Sequence, residues 1–305
     1  DYTLKLAVFH TIFNAIGIIV MVPFISKLAD SLERWLSEPE PVYTKPKFLN
    51  DAATDFADAA IEAARLETIR LYRKATKIIA HGLGVKRKDA LGAVPLEELD
   101  EHGRKIEDEL DQRYSQSIKS LYGAIVEFIT RAQRGMRPES VDEIFAIRFA
   151  GRQIVEAVKG VGHLQKNFKA HLASDNEDLR DSYLDIRKRI VRLVRELEAV
   201  RQEGEGELAI LTLDNAKIAA KREDIVANGK LDELIRKERI SVSDATSLIN
   251  DNGYAYGICK NLIVMARILF AVHDDEEREA EESLALDDEE VATLSDTIVD
   301  DGWWL

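Results

Sequence analysis

Two polar side chains, His10 and Asn14, interrupt a stretch of twenty residues, 6–25, that carries no charge. Their spacing of four places both on one face of a helix, which Gly17 and Met21 continue. Imidazole and amide groups are costly against lipid, so this face is expected to meet other protein or a water-filled cavity. Two interpretations stay open: hydrogen bonds that hold neighbouring helices together, which we favour, or a place on a permeation route.

The remaining chain offers few groups in a catalytic pattern. Only His163 and His171, two helical turns apart, have a spacing that metal ligands use. Carboxylates four apart, such as Glu177 and Asp181, could hold a hard cation, but a chain with 56 acidic residues is expected to show such pairs on its surface. Gly-rich phosphate loops, HExxH and CxxC pairs are absent from the sequence, and Cys259 is the single cysteine. We predict that the protein is not an enzyme and holds no metal.

The stretch 6–25 is long enough to cross a membrane, because twenty helical residues span roughly 30 Å. It lacks the basic start and small-residue cleavage site of a secretory signal, and it lacks the polar face of a soluble core helix. Positive residues lie mostly after it, which predicts that the chain is in the cytoplasm beyond about residue 26. Only Lys5 precedes the stretch, whereas four basic residues follow closely: Lys27, Arg34, Lys45 and Lys47.

The net charge of −14 is concentrated at the end of the chain. Residues 274–301 contain fourteen Asp and Glu against one Arg, so the rest is close to neutral. The sequence contains no basic domain of the kind that would indicate nucleic-acid binding. The acidic composition predicts that residues 274–305 form a disordered tail, and the lone cysteine favours a reducing compartment.

Between these ends the apolar spacing is helical, which predicts an all-α protein. Residues 1–36 are interpreted as the membrane helix with its extension, and residues 37–50 as a Pro-rich linker. Residues 51–273 are interpreted as six helices, in one bundle or two three-helix bundles in tandem; periodicity does not choose between these. The segments are expected at Asp51–His81, Pro95–Arg134, from Pro138 to about 172, from about 174 to 200, Glu205–Arg236 with a break at Asn228-Gly229, and Ser241–His273.

Three local patterns sharpen this prediction. Ser140 and Ser174, each followed three residues later by Glu, have capping-box spacing. Apolar residues between Leu179 and Val200 alternate steps of four and three, which indicates a packed helix. The basic run from Arg187 to Arg195 contains interleaved acids and is interpreted as a solvated face.

Several of these segments resemble a known family. Ala7 followed by His10–Asn14, with Pro23-Phe24 further on, resembles the last membrane helix of bacterial type II sodium/phosphate cotransporters. Residues 46–71, PKFLNDAATDFADAAIEAARLETIRL, resemble the linker and first helix of the PhoU-like domain fused to many of these transporters. Residues 247–269, SLINDNGYAYGICKNLIVMARIL, resemble the closing helix of that domain.

The resemblance implies the C-terminal part of a symporter that carries inorganic phosphate inward with sodium. It implies a PhoU-like fold of two antiparallel three-helix bundles, at approximately 51–173 and 174–273. The family's Gln-Ser-Ser-Ser repeats, which form the transport core, do not occur in these residues. Sodium and phosphate are therefore transported ions of the parent protein and not cofactors of this chain, and no phosphate-binding residue can be assigned.

The implied partners are other membrane segments of the same transporter, with a homodimer or a cytoplasmic signalling protein as further partners. A membrane-anchored PhoU-like signalling adaptor without transport activity is the alternative function. A wholly soluble helical scaffold is disfavoured by residues 6–25.

The sequence departs from the family where PhoU proteins bind metal clusters. Residues 150–167, AGRQIVEAVKGVGHLQKN, keep an acid at Glu156, but Lys159 and Gly160 stand where the motif's aspartate would fall. Near the chain's end, Asn250-Asp251-Asn252-Gly253 is followed by Tyr254, Tyr256 and Cys259 instead of an acidic cluster. Because a lysine repels a cation, a regulatory or adaptor role is expected in place of a metal cluster.

Overall fold

A computed structural model describes residues 2–36, 43–99, 110–203, 207–226 and 228–271. The regular elements in these ranges are all helical, in agreement with the all-α prediction. Two compact units are separated at the Pro-rich segment, Asp1–Val42 and Tyr43–Leu305. The predicted acidic tail, residues 274–305, lies outside the described residues.

The first unit contains one helix, α1 (Tyr2–Leu36), which includes Pro23 without ending there. It begins before the apolar stretch and continues eleven residues beyond it, as far as the structure describes this unit. The Thr11 hydroxyl donates to the carbonyl of Ala7 at 3.0 Å, so even this polar side chain is satisfied within the helix.

The second unit contains nine α-helices in its described part. They are α2 (Ala57–Gly82), α3 (Arg87–Ala90), α4 (Leu110–Arg113), α5 (Ser120–Ala132), α6 (Pro138–His171), α7 (Glu177–Glu203), α8 (Glu207–Arg222), α9 (Lys230–Arg236) and α10 (Val242–Ala266). A π-helical segment, Tyr114–Lys119, joins α4 to α5, and another, Arg267–Ala271, extends α10. We refer to the described residues 43–271 as the helical domain.

Helix α6 is the centre of the helical domain. It packs extensively against α2 and against α10, while α5 packs on α2, and both α7 and α8 pack on α10. Gly160 permits the close approach of α6 to α10, because a Cβ at this position would lie 2.7 Å from Cγ1 of Ile258. The glycine that replaces an expected acid is therefore explained by helix packing.

The apolar pattern of α7 is confirmed by burial. Seven residues in steps of four and three are all buried in the core: Leu179, Tyr183, Ile186, Ile190, Leu193, Leu197 and Val200. Cys259 is also fully buried, on α10, and burial raises the pKa of its thiol to about 11. A thiol in this state is a packing group and a poor nucleophile.

Several predicted helix ends are wrong. The helix predicted from Asp51 starts as a short 3-10 turn, Asp51–Asp55, and α2 begins only after Phe56. The helix predicted from Pro95 starts as a 3-10 turn, Leu96–Leu99, and residues 100–109 of this prediction lie outside the described residues; α-helix is next described from Leu110. The break expected at Asn228-Gly229 exists but is longer, since α8 ends at Arg222 and α9 starts at Lys230.

The two predicted capping boxes are also wrong. Pro138 occupies the first turn of α6, which makes Arg137 the N-cap and places Ser140 inside the helix. At α7 the side chain of Asn176, not Ser174, accepts the hydrogen bond of the first turn, from the backbone N–H of Leu179 at 3.1 Å. Asn176 lies two residues closer to the start of α7 than Ser174, so its side-chain amide oxygen takes the capping role that was predicted for the serine.

The segment that precedes α2 is fastened to the domain by a buried carboxylate. Oε2 of Glu67, on α2, accepts the backbone N–H groups of Lys47 and Phe48, each at 2.6 Å. Arg70 donates to the carbonyl of Lys45 at 2.9 Å. Residues 43–50 of the predicted linker therefore lie along the surface of the helical domain.

Candidate functional site

Helix α1 exposes its apolar surface on every side. All side chains from residue 2 to residue 29 are exposed in the structure, including His10 and Asn14. The helix brings these two onto one face, as their spacing predicts.

Two helices in the described ranges are long and apolar enough to span a membrane. One is residues Tyr2–Ala29 of α1, with a mean hydropathy of 2.1 and none of its window buried. The other, Val242–Ala271, has a mean hydropathy of 1.3, and 56% of its window is buried within the helical domain, as in a core helix. Only the first presents its apolar surface to the surroundings.

The positions that correspond to the metal motif form other contacts. Lys159 donates from Nζ to Oε1 of Glu156 at 3.0 Å, so the surviving acid is already neutralised by a cation. His163 stacks on Tyr254 with ring centroids 4.6 Å apart, and His171 stacks on Tyr183 at 4.7 Å. Within the described ranges, no group of three His, Cys, Asp or Glu side chains converges as a metal site would require.

A buried polar network instead joins α6, α7 and α10 at Asp251. Oδ2 of Asp251 accepts the Tyr183 hydroxyl at 2.7 Å and the Asn167 side-chain amide at 2.8 Å. Asp251 is 2% exposed and Tyr183 is fully buried. Burial raises the pKa of the Asp251 carboxyl above its ordinary value, against the two hydrogen bonds, which lower it. Burial also raises the pKa of Tyr183.

Replacing Asp251 with asparagine is expected to flatten the dependence of stability on pH. The folded protein holds the Asp251 proton more tightly than the unfolded chain, so stability falls as pH rises from the unfolded pKa through the raised folded one. Asparagine keeps an acceptor oxygen and cannot titrate. Urea unfolding from neutral pH down towards the ordinary aspartate pKa of about 4 should show wild type gaining stability relative to D251N.

The control for this prediction is Glu127→Gln, which removes an exposed carboxylate from α5. It should follow the pH dependence of wild type. Parallel curves for wild type and D251N would contradict the assignment of the titration to Asp251.

A second part of the network is centred on Arg189 of α7. Its Nη1 donates to the carbonyl of Glu223 and its Nη2 to Oδ1 of Asn252, each at 2.9 Å. Asn252 in turn donates to Oδ1 of Asp224 at 2.8 Å. Arg189 thereby ties α7 and α10 to the connection between α8 and α9.

The prediction that the basic run is a solvated face is wrong for two of its members, Arg187 and Arg189. Arg187 and Arg189 are each only 5% exposed. Arg195 donates to the backbone carbonyls of Asp89 and Ala90, which fastens α3 to α7. The groups that accept hydrogen bonds from these arginines are mostly main-chain carbonyls of distant segments. The acidic residues interleaved in the run therefore could not predict them.

A cavity of about 250 Å³ adjoins Arg189 between α7, α10 and the α8–α9 connection. Two of its four cations are paired, Arg192 with the carboxylate of Glu223 and Lys230 with Asp185 at 2.6 Å, while Lys188 and Arg189 add positive charge to the lining. The lining contains no nucleophile activated by a base. The main role of this network is to position three segments against one another.

The comparisons with known proteins identify no relative. No protein-family model matches the chain. No curated protein matches it, and neither does a solved structure. The family resemblance therefore depends on the residues themselves.

Proposed function

We propose that this chain is the C-terminal region of a sodium-dependent inorganic phosphate symporter, and that its helical domain regulates transport. The observation that carries the proposal is α1, a helix that is apolar on all sides, fully exposed from residue 2 to 29, and marked by His10 and Asn14 on one face. Such a helix is stabilised in lipid, and its polar face calls for companion helices.

The location follows from the same helix. Basic residues after the apolar stretch favour a cell-membrane protein whose residues beyond about 26 lie in the cytoplasm. The proposed PhoU-like fold groups α2, α5 and α6 in one bundle and α7, α8 and α10 in the other. This grouping is supported by the packing of α2 on α5 and α6, and of α10 on α7 and α8, with the extensive contact of α6 and α10 lying between the two bundles.

The decisive test is the gene sequence upstream of the codon for Asp1. The proposal requires an open reading frame that continues in phase through further apolar spans with Gln-Ser-Ser-Ser repeats. The encoded protein should take up radioactive phosphate only when sodium is present. Uptake that does not require sodium, or a frame without further spans, would overturn the proposal.

Replacing both His10 and Asn14 with alanine in the intact transporter is expected to lower phosphate uptake several-fold at equal protein abundance. If the two side chains approach the permeation route, alanine removes groups that interact with the ions or with neighbouring helices. Initial uptake rates and immunoblots of the membrane fraction measure the two quantities. Control substitutions at Ile12 and Ile19, both to valine, lie on the opposite face and should leave uptake unchanged.

An adaptor without transport activity is the second candidate. The feature that favours it is the separate hydrophobic core of the helical domain, which needs no residue of α1. Deleting residues 43–305 separates the candidates, because a regulatory domain changes phosphate uptake, whereas an adaptor leaves uptake unchanged and alters the activity of a signalling partner.

A further inference from the structure

A basic cavity of about 210 Å³ lies at the end of α2, far along the chain from the Asp251 network. It is formed by three segments: the last two turns of α2, the turn after it, and the stretch from α4 into the π-helical segment. Five of its lining side chains are cationic: Lys74, Lys77, Lys86, Arg87 and Arg113. Its described lining contains no acidic residue.

The turn after α2 places two of these cations. Gly84 adopts a left-handed conformation with φ of 72°, which a residue with a side chain rarely adopts. The N–H of Val85 then bonds the carbonyl of Ala80 at 2.9 Å, and the N–H of Gly84 bonds that of His81 at 3.0 Å. This Schellman motif reverses the chain, so that Lys86 and Arg87 reach the cavity beside the lysines of α2.

Positive charge at this site is concentrated. Within the described ranges, Lys74, Lys77, Lys86 and Arg87 form no ion pair. Burial and the neighbouring charges of Arg70 and Lys77 lower the pKa of Lys74, which is the response of an ammonium group held among other cations.

The cations are not needed to cap α2. The carbonyls of Ile79, Ala80 and His81, in its last turn, already accept backbone N–H groups from Leu83, Val85 and Gly84. The cationic side chains around this cavity repel one another, and a bound anion would reduce that repulsion.

We propose that this cavity binds a compact oligophosphate anion of the pyrophosphate class. Lysine and arginine side chains form charge-assisted hydrogen bonds with phosphate oxygens, and the His81 ring and Ser117 hydroxyl also line the site. A volume of about 210 Å³ is smaller than pockets for drug-sized molecules, which start near 300 Å³. The concave shape favours a small soluble anion over a lipid surface.

The test is calorimetric titration of the full chain in zwitterionic nanodiscs with pyrophosphate, orthophosphate and sulfate. We expect pyrophosphate to bind more tightly than the other two, with an affinity that falls as salt is added. The double variant Lys77→Gln, Arg87→Gln removes two exposed cations and should weaken binding by at least about tenfold. The matched control Lys166→Gln, Arg236→Gln removes two exposed cations elsewhere and should leave it unchanged.

Three outcomes would overturn the proposal. The first is the absence of pyrophosphate binding in the wild-type chain. The second is equal loss of affinity in both double variants, which would indicate a general charge effect. The third is loss of pyrophosphate binding when the nanodiscs contain anionic lipid, which would assign the cavity to headgroups. None of these depends on the symporter proposal, because binding is measured directly.

Discussion

Replacing Arg189 with methionine is expected to lower the free energy of unfolding by about 3 kcal/mol. The guanidinium supplies a part-buried hydrogen bond to the Glu223 carbonyl and a buried one to Oδ1 of Asn252. Methionine fills a similar volume but donates nothing, so one part-buried and one buried acceptor lose a partner, each at a cost of about 1–3 kcal/mol. Relief of the buried charge offsets part of this loss.

Urea unfolding of the full chain in a mild nonionic detergent, followed by circular dichroism, measures the effect. Arg236→Met is the matched control, because it removes an exposed arginine from α9 and should change stability by less than about 0.5 kcal/mol. If R189M and R236M unfold at the same urea concentration, Arg189 does not connect the three segments in solution.

Introducing two arginines into α1, Ile12→Arg with Ile19→Arg, is expected to release the 305-residue chain from membranes. The two isoleucines lie seven residues apart on the face opposite His10 and Asn14, where contact with lipid is expected. Each arginine near the centre of a span costs about 3 kcal/mol, so the pair costs about 6 kcal/mol. The favourable free energy of inserting a single helix is too small to absorb this cost easily.

Carbonate extraction and ultracentrifugation of cells that express the chain, followed by immunoblotting, measure the partition. The conservative pair Ile12→Val with Ile19→Val should stay in the pellet. Recovery of the wild-type chain in the soluble fraction would remove the basis of the membrane assignment and, with it, the proposed transport role.

The sequence predicts the elements of this fold better than their ends. The pattern from Leu179 to Val200 predicts the buried face of α7 because core packing selects apolar side chains every three or four residues. The capping boxes fail because a cap depends on where the first helical residue falls, and Pro138 and Asn176 each shift that point by a residue or more.

The site is less accessible from the sequence, for a different reason. Arg189 is one of several basic residues in α7, and only its contacts with Asn252 and Glu223 distinguish it. Asn252 lies 63 residues and Glu223 34 residues from Arg189, too far for a local sequence pattern to indicate the contact. The Asn250-Asp251-Asn252 motif was noticeable as an anomaly, but its role needed the positions of Tyr183 and Asn167.

The attachment at Glu67 determines where mechanical force would enter the helical domain. Tension on the chain upstream of Tyr43 is transmitted to α2 at this carboxylate, because Lys47 and Phe48 are both held there by their main-chain amides. Helix α2 packs against α6, a helix of 34 residues that also packs against α10. Force applied at Glu67 is therefore distributed through α2 to α6 and α10. Glu67→Gln should weaken the transmission of force, while the chain upstream of Tyr43 and the packing of α6 on α10 stay unchanged.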